Sequence, residues 1–442
     1  MSDRETAVRR EAVRAIHDDL AIPEALPVLA SLLDETDLPA DEGVVRRALN
    51  ANLRLGTDLS ARRLMRFATD ASRPKAMRVE AVGCLGVWNF APYIDRVEGM
   101  VRALGERPSG LGDQLIKENL AKLLGGAGQA LAQAITRIVM ENHIEADPAL
   151  FADWVMSTNQ PPSLRAQALE LLAHRGSDKL PQTLRHALEA EQPELRLMAI
   201  RLVATDNPDA FIEFIASHDG RLTLPEKQTA LRLAGHVQGA KAVGFLAMRM
   251  NALLAGQLPP ELALDVLEAC RARKETDIKS KLATYESKPP GDDSLVKFRP
   301  VLCGGDPVAG REVFRTHANA QCVRCHEAGG EGYQAGPVLA GIATRAPPEY
   351  LLESLIDPSK RIAHGFATIS LVTRDGEVID GTKLRETREE LTLRLSSGEI
   401  RKVAQKEIEK QSTSSVSAMP PMGEVLTLFE IRDLLAYLGT LK

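Results

Sequence analysis

A repeated pattern over residues 1 to about 290 restricts the possible folds more than any other feature of the sequence. In each copy an apolar residue and usually an arginine precede an alanine, and aliphatic residues follow it. The central alanines of the recognisable copies are Ala12, Ala48, Ala81, Ala168, Ala199, Ala230 and Ala263. Neighbouring copies lie 31 to 36 residues apart, except where residues 100–160 blur the pattern around one degenerate copy near Leu120. Because this period accommodates two short antiparallel helices, the sequence predicts stacked helix pairs.

The composition agrees with a helical core. Aromatic residues make up 4% of the chain and apolar residues 44%, so the core must be built from aliphatic side chains, which favours packed helices over an all-β protein. The pattern resembles HEAT repeats, with a period at the short end for that family. The resemblance implies an α-solenoid, which acts either as a spacer or as a concave surface for a protein partner, and both interpretations stay open.

A change of pattern divides the chain into two parts. Residues 291–303 belong to a segment that combines Pro, Gly and Asp and interrupts the helical periodicity, as linkers between domains do. The sequence therefore predicts a helical repeat domain at 1–290, a linker at 291–303 and a second domain at 304–442.

The second domain is predicted to contain both helices and strands. Asp306 and Pro307 suit the N-cap and first position of a helix that ends near residue 317. Residues 426–441 form a second amphipathic helix. Between these helices, residues from about 366 to 411 alternate apolar and polar side chains with turn residues, which predicts a small antiparallel β insertion. The predicted fold class is mainly α.

The motif Cys322-Val323-Arg324-Cys325-His326 carries the clearest chemistry in the chain. Its two thiols lie on one short helical turn, spaced to add to the two vinyl groups of a haem, and the adjacent imidazole reaches the iron. The spacing therefore indicates covalent haem c. Five cysteines in so long a chain do not form a disulfide framework, and Cys84 and Cys270 are expected to be small buried apolar residues.

Three features near the motif support haem attachment. The two helices that bracket the domain are expected to cross, with Phe314 and Tyr437 packed at the crossing. A backbone carbonyl near Pro337, ten or so residues after the histidine, is placed to accept the Nδ1–H of the imidazole and fix its orientation. Met419 precedes the last helix, where its thioether suits the opposite face of the iron.

Residues 304–442 resemble a class I cytochrome c, and more specifically the haem-binding domain family typical of planctomycetes and verrucomicrobia. The segments that carry the resemblance are GGDPVAGREVF, CVRCH, GPVLAGI, YLLESLIDPSKRIAHGF and SAMPPM. The resemblance implies a haem c that carries one electron, with the β insertion ahead of the distal ligand. It also implies a place at the end of larger proteins that contain a β-propeller dehydrogenase domain.

The resemblance also implies the iron ligands. Cys322 and Cys325 would form the thioether bonds, His326 would be the proximal ligand and Met419 the distal ligand. Met422 remains a competitor because SAMPPMG offers two thioethers three residues apart. His364 is a further possible ligand, although it is more simply interpreted as a loop histidine.

The predicted function is electron transfer rather than enzymatic catalysis. The haem would accept electrons from a dehydrogenase domain or a separate redox protein, with the repeats as a scaffold. One alternative is a haem enzyme or a gas or redox sensor with an open iron position. Another is an interaction scaffold whose Cys-x-x-Cys-His binds zinc, but zinc usually takes four ligands, and no second Cys-x-x-Cys is present.

Charge and hydropathy restrict the partners and the location. The net charge of −5 lacks the basic excess of a nucleic-acid-binding protein, and every long apolar stretch is broken by a charge before it could span a membrane. Haem attachment to such a motif takes place outside the cytoplasm in bacteria, which predicts a periplasmic or otherwise exported protein. Because the first residues are polar and contain no signal sequence, we expect that the natural protein has residues before Met1.

Overall fold

The computed structural model describes residues 6–19, 22–35, 41–125, 127–287, 295–395 and 398–442. The chain divides into two compact units, and the boundary lies between Asn207 and Pro208. The chain is mainly helical and carries a small antiparallel sheet near its C-terminus, so the predicted fold class is confirmed. In the part of the chain that the structure describes, no helix is both long enough and apolar enough to cross a membrane.

The described part of the first unit consists of helices joined by turns and loops, among them the long connection over residues 87–110. The α-helices are α1 (Thr6–His17), α2 (Leu26–Ser31), α3 (Glu42–Leu55), α4 (Asp58–Thr69), α5 (Lys75–Gly86), α6 (Leu111–Leu124), α7 (Gln129–Glu141), α8 (Pro148–Met156), α9 (Pro162–His174), α10 (Leu180–Leu188) and α11 (Pro193–Asp206). Helices α3, α5, α7, α9 and α11 pack side by side in that order. The alanines of the repeat on α3, α5, α9 and α11 are buried, because a methyl group at the contact lets neighbouring helices approach closely.

Helix α7 continues this row without the sequence pattern of its neighbours. It packs between α5 and α9, whereas the degenerate copy expected near Leu120 lies on α6, which packs mainly against α4. A Cβ on Gly86 would lie 2.7 Å from the Ile138 side chain, so glycine on α5 takes the role of the small residue at this contact. The row therefore depends on a small residue at each contact, and either helix of a pair can supply it.

The arginine of the repeat binds the end of the preceding helix. Arg78 Nε donates to the Ala68 carbonyl at 2.8 Å, and Arg165 Nε donates to the Val155 carbonyl at 2.9 Å. Carbonyl groups in the last turn of a helix have no partner within the helix, and each arginine supplies one. Burial lowers the pKa of both guanidinium groups. The buried arginine is thus a structural element of the helix pair.

The second unit begins with further helix pairs and continues into the predicted second domain. Its α-helices are α12 (Pro208–Ser217), α13 (Leu224–His236), α14 (Ala240–Leu254), α15 (Ala263–Arg271), α16 (Thr276–Glu286), α17 (Pro307–Thr316), α18 (Ile342–Arg345), α19 (Pro348–Ile356) and α20 (Leu428–Leu438). Its strands are β1 (Glu327–Ala328), β2 (Glu331–Gly332), β3 (Thr368–Thr373), β4 (Val378–Glu386), β5 (Glu390–Leu395), β6 (Ile400–Ala404) and β7 (Ile408–Thr413).

The division into units does not fall at the predicted linker. Residues 291–294 of that linker lie outside the described residues, and Val296–Leu302 forms a 3₁₀ helix in which Phe298 and Val301 are buried. Both side chains belong to the same apolar core as Leu264 of α15 and Leu434 of α20. The last helix pairs and the second domain therefore share one core, and the domain limits at 290 and 304 stay predictions.

The β insertion forms a curled five-stranded sheet with a core of its own. Strands β3 to β7 are antiparallel and lie in the order β6-β5-β4-β3-β7. Three residues, Gln405–Glu407, join the two strands at opposite edges, so the sheet must curl until its edges approach. Its buried side chains make a cluster separate from that of the surrounding helices: Ile369, Leu371, Ile379, Leu391, Leu393 and Val403. The small antiparallel insertion predicted from the alternating sequence is confirmed.

Candidate haem-binding site

Helices α17 and α20 cross next to the Cys-x-x-Cys-His motif. Asp306 accepts a hydrogen bond from Val308 N at 2.8 Å and so caps α17, which starts at Pro307. At the crossing, a Cβ on Gly310 would collide with the carbonyl oxygen of Asp433, so only glycine permits this approach. The rings of Phe314 and Tyr437 meet with centroids 5.6 Å apart. The structure thus brings these two residues together between the helices.

The two cysteines lie on one tight turn after α17. Cys322–Arg324 forms a 3₁₀ turn, and His326 N donates to the Cys322 carbonyl at 2.9 Å. The turn begins at Gln321, whose φ of 46° lies in the left-handed region. Both thiols are free; Cys322 is partly buried and Cys325 is exposed. Burial raises the pKa of the Cys322 thiol.

His326 is held by the loop that follows β2. Its Nδ1 lies 2.7 Å from the Pro337 carbonyl, an arrangement in which Nδ1–H donates and Nε2 remains to bind a metal. Gly336 N donates to the Cys325 carbonyl at 2.6 Å, and a Cβ on Gly336 would lie 2.9 Å from His326 Cε1. The backbone therefore passes directly against the imidazole.

Burial also favours the neutral form of His326. It lowers the pKa of the imidazole, and the hydrogen bond to Pro337 opposes this effect only in part. The neutral imidazole is the form that binds a metal. The surroundings of His326 thus fix both its orientation and a protonation state suited to ligation.

The two methionines of SAMPPM occupy different environments. Met419 is partly buried and packs against the same apolar cluster as Cys322 and Val323. Its loop is attached to the segment after α19, because Ser417 N donates to Ser359 Oγ at 3.1 Å. Met422 is a core residue of that cluster, with 4% of its surface exposed.

His364, the other possible ligand, is an exposed loop residue. It lies between α19 and β3, just before the β insertion. In this position its side chain faces solvent, in contrast to the partly buried Met419.

Sequence reasoning did not find the contacts between the last helix pairs and this site. Arg432 of α20 forms an ion pair with Asp265 of α15, with Nη1 and Oδ2 2.7 Å apart. Arg232 lies over the ring of Phe429. No local pattern marks Asp265, because its partner is 167 residues away in the sequence. An acidic residue on the apolar face of a repeat helix was the only available signal.

Residues 308–369 match the family model described as Cytochrome c. The matched segment contains α17 from its second residue onward, the Cys-x-x-Cys-His turn and Pro337, and it ends before Met419 and α20. No curated protein matches the chain. The second unit therefore contains a cytochrome c domain, a haem-binding electron-transfer domain. The cofactor of this family is covalent haem c with its iron, so the prediction of haem c is confirmed.

The residues present fit this cofactor. Two free thiols one turn apart can each form a thioether, and an imidazole whose Nδ1 is already hydrogen-bonded would keep Nε2 for the iron. Partly buried apolar side chains, Val323, Leu339, Ile342 and Met419 among them, line the cluster beside the turn. These groups would supply the tethers, one iron ligand and the apolar surroundings that a porphyrin requires.

Proposed function

We propose that this chain transfers single electrons through a haem c bound to Cys322 and Cys325, with His326 and Met419 as axial ligands. The orientation of His326 carries the proposal. Its Nδ1 is engaged by the Pro337 carbonyl, which leaves Nε2 to bind the iron beside the turn that holds both thiols. When bound, the haem supplies an iron that changes reversibly between ferric and ferrous states.

Met419 is the better distal ligand of the two methionines. The Met422 side chain already fills the core beneath the 3₁₀ helix Met422–Glu424, and withdrawing it would leave a cavity there. Met419 lies on a loop without regular structure and keeps part of its surface free. A thioether there can reach a ligand without loss of core packing. Two axial ligands leave no open iron position, which supports electron transfer rather than catalysis.

The helix pairs suit a scaffold for electron transfer. We propose that they are HEAT-like repeats and that the second domain belongs to the planctomycete and verrucomicrobial type of haem-binding domain. The haem would then accept electrons from a dehydrogenase domain or another redox protein that the repeats help to hold. Covalent haem attachment supports a periplasmic or otherwise exported location.

The proposal is tested on the full chain matured in a host that attaches haem c. A pyridine haemochrome assay should give one covalently bound haem per chain. The reduced protein should have a six-coordinate low-spin spectrum and should not bind carbon monoxide promptly. A colourless product would refute haem attachment, and rapid carbon monoxide binding would favour an open-site enzyme or sensor.

Substitution separates the two methionines. Met419→Ala should abolish the iron–thioether absorption band and allow carbon monoxide to bind, because it removes the sixth ligand. Met422→Ala is the matched control: it should keep the band while lowering stability by about 2–5 kcal/mol through loss of core packing. A band that survives Met419→Ala and disappears in Met422→Ala would reverse the assignment.

A further inference from the structure

A buried ion pair connects the last helix pairs to the helix that crosses α17. Asp265 Oδ2 and Arg432 Nη1 are 2.7 Å apart, and their side chains are 0% and 4% exposed. Among the described residues, Asp265 Oδ1 and Arg432 Nε have no hydrogen-bond partner. Burial raises the pKa of Asp265, and Arg432 opposes the shift. The pair is therefore costly to desolvate and incompletely bonded.

Stability alone does not explain such a pair. Replacing a buried ion pair by apolar residues of similar volume is often neutral or stabilising. Breaking it by removing one partner costs about 3–5 kcal/mol, because the remaining charge is left uncompensated. A buried pair of this kind does, however, require one relative orientation of the two helices that carry it.

Further contacts extend from Arg432 to the start of α17. Arg432 Nε lies 3.5 Å from Asp433 Oδ1, and the same oxygen accepts a hydrogen bond from Asp306 N at 2.9 Å. Asp306 caps the helix that leads to the Cys-x-x-Cys-His turn. A continuous chain of polar contacts thus runs from α15 through α20 to the N-terminus of α17.

Helix α13 and the apolar core reinforce this connection. Gln228 Nε2 donates to the Gly304 carbonyl at 2.8 Å and to the Glu261 carbonyl at 3.2 Å. Leu264, next to Asp265, is buried in the cluster that contains Phe314 and Tyr437. Helix α20 therefore contacts both α13 and α15, and the segment before α17 is bonded to α13, so that both sides of the crossing are tied to the helix pairs.

We propose that Asp265 and Arg432 are positioning residues of the haem site. The pair fixes α20 on α15, and α20 in turn fixes α17 and the aromatic contact at their crossing. The last helix pairs are then part of the haem pocket's support, so that the haem and these helices respond to perturbation together. This inference rests on the haem attachment proposed above and goes beyond it.

The experiment uses the full haem-loaded chain and four variants. Asp265→Asn and Arg432→Met each break the pair, while the double variant Asp265→Leu with Arg432→Met replaces it by apolar side chains. Glu213→Gln is the matched control, because it removes a carboxylate from the exposed pair with Lys241 in the same unit. Each protein is measured for haem content, reduction potential, the iron–thioether band and urea unfolding followed at the haem and by far-UV circular dichroism.

We expect both single variants to lower the urea midpoint observed at the haem, weaken the iron–thioether band and shift the reduction potential. The control should match the wild type. The double variant should recover the urea midpoint, because no buried charge remains, but should keep a shifted potential, because the fixed orientation is lost.

Two results would overturn the positioning role. One is a wild-type potential and band in both single variants. The other is a double variant that recovers midpoint, band and potential together, since the pair would then serve packing alone. If the wild type itself carried no haem, the proposed function would fail as well, so the haem assay distinguishes the two failures.

Discussion

At the scale of single residues, the orientation of the His326 imidazole depends on backbone that passes against its ring. The Pro337 carbonyl holds Nδ1, and Gly336 leaves no room for a side chain between the loop and the ring. Strand β2, which precedes this loop, ends at Gly332, where φ is 101° and a Cβ would collide with the His326 carbonyl. The imidazole is thus positioned by main-chain atoms rather than by another side chain.

Gly336→Ala tests this arrangement. The added methyl group would lie 2.9 Å from His326 Cε1, so either the loop or the ring must shift, at a cost of about 1–3 kcal/mol. We expect a changed reduction potential and a lower yield of haem per chain, measured by electrochemical titration and pyridine haemochrome. Gly244→Ala, where a Cβ meets nothing within 4 Å, should leave both unchanged. Identical behaviour of the two variants would contradict the role of Gly336.

At the scale of secondary structure elements, the buried arginines link consecutive helices. Arg165 donates through Nε to the Val155 carbonyl and through Nη1 to Gln192 Oε1. It thereby connects the end of α8 to the segment before α11. The arginine in the repeat pattern thus serves as a hydrogen-bond donor to a carbonyl at the end of a helix, and not as a surface charge.

Arg165→Met should destabilise the first unit. Methionine fills much of the same space but leaves the Val155 carbonyl unpaired, which costs about 1–3 kcal/mol. Urea unfolding followed by far-UV circular dichroism measures the change. Arg62→Met, which removes an exposed pair with Asp58, is the control and should cost much less than Arg165→Met, because solvent screens an exposed ion pair. Equal losses in the two variants would exclude the capping role.

The N-terminus of α20 gives a prediction about pH. Burial acts to raise the pKa of Glu430, but hydrogen bonds from Thr427 and the nearby His317 outweigh it, and the pKa lies below its usual range. A carboxylate with a lowered folded pKa stabilises the protein above its unfolded pKa of about 4.3 and loses this effect as the pH falls through the folded value.

In the Glu430→Gln variant the side-chain amide can still accept hydrogen bonds from Thr427, but it carries no charge. The wild type should therefore be more stable than the variant at neutral pH, and the difference should shrink as the pH is lowered below about 4. Urea unfolding of both proteins at a series of pH values measures the difference. A difference that is independent of pH would mean that the charge of Glu430 contributes nothing to the cap.

Sequence periodicity could predict the elements because their causes are local. The alternating residues of β3 and β5 and the cap at Asp306 each depend on neighbours within a few positions. Helix α7 was missed because the small residue at its contact is Gly86 on the helix before it. The cysteine spacing and Pro337 could likewise be anticipated, whereas the Asp265–Arg432 pair could not, since tertiary packing alone brings these residues together.

At the scale of the whole molecule, the second unit contains two separate apolar cores. One joins the last helix pairs to the cytochrome c domain, and the other lies within the β insertion. The two ends of the insertion lie side by side, because Ser414 N donates a hydrogen bond to the Thr368 carbonyl at 2.7 Å. A hydrogen bond from Arg394 to the Gln334 carbonyl joins the insertion to the loop that follows β2 and holds His326.

Replacement of residues 369–413 by a short Gly-Ser linker should therefore preserve haem attachment. The ends are already adjacent, and the core of the helices loses none of its buried side chains. Pyridine haemochrome and the unfolding midpoint observed at the haem should stay close to the wild-type values. Arg394→Ala in the full chain is the companion variant, and a loss of haem in the deletion alone would show that the insertion supports the pocket by other contacts.

The shared core of the second unit also determines where a fragment that contains the cytochrome c domain should begin. A fragment that starts near residue 304 would uncover the face of α20 that carries Arg432, together with the apolar surface covered by Leu264. In such a fragment this apolar and charged surface would be exposed to solvent. A transfer of this domain into another polypeptide would have to begin near Pro208, so that the transferred segment includes the helices that share its core.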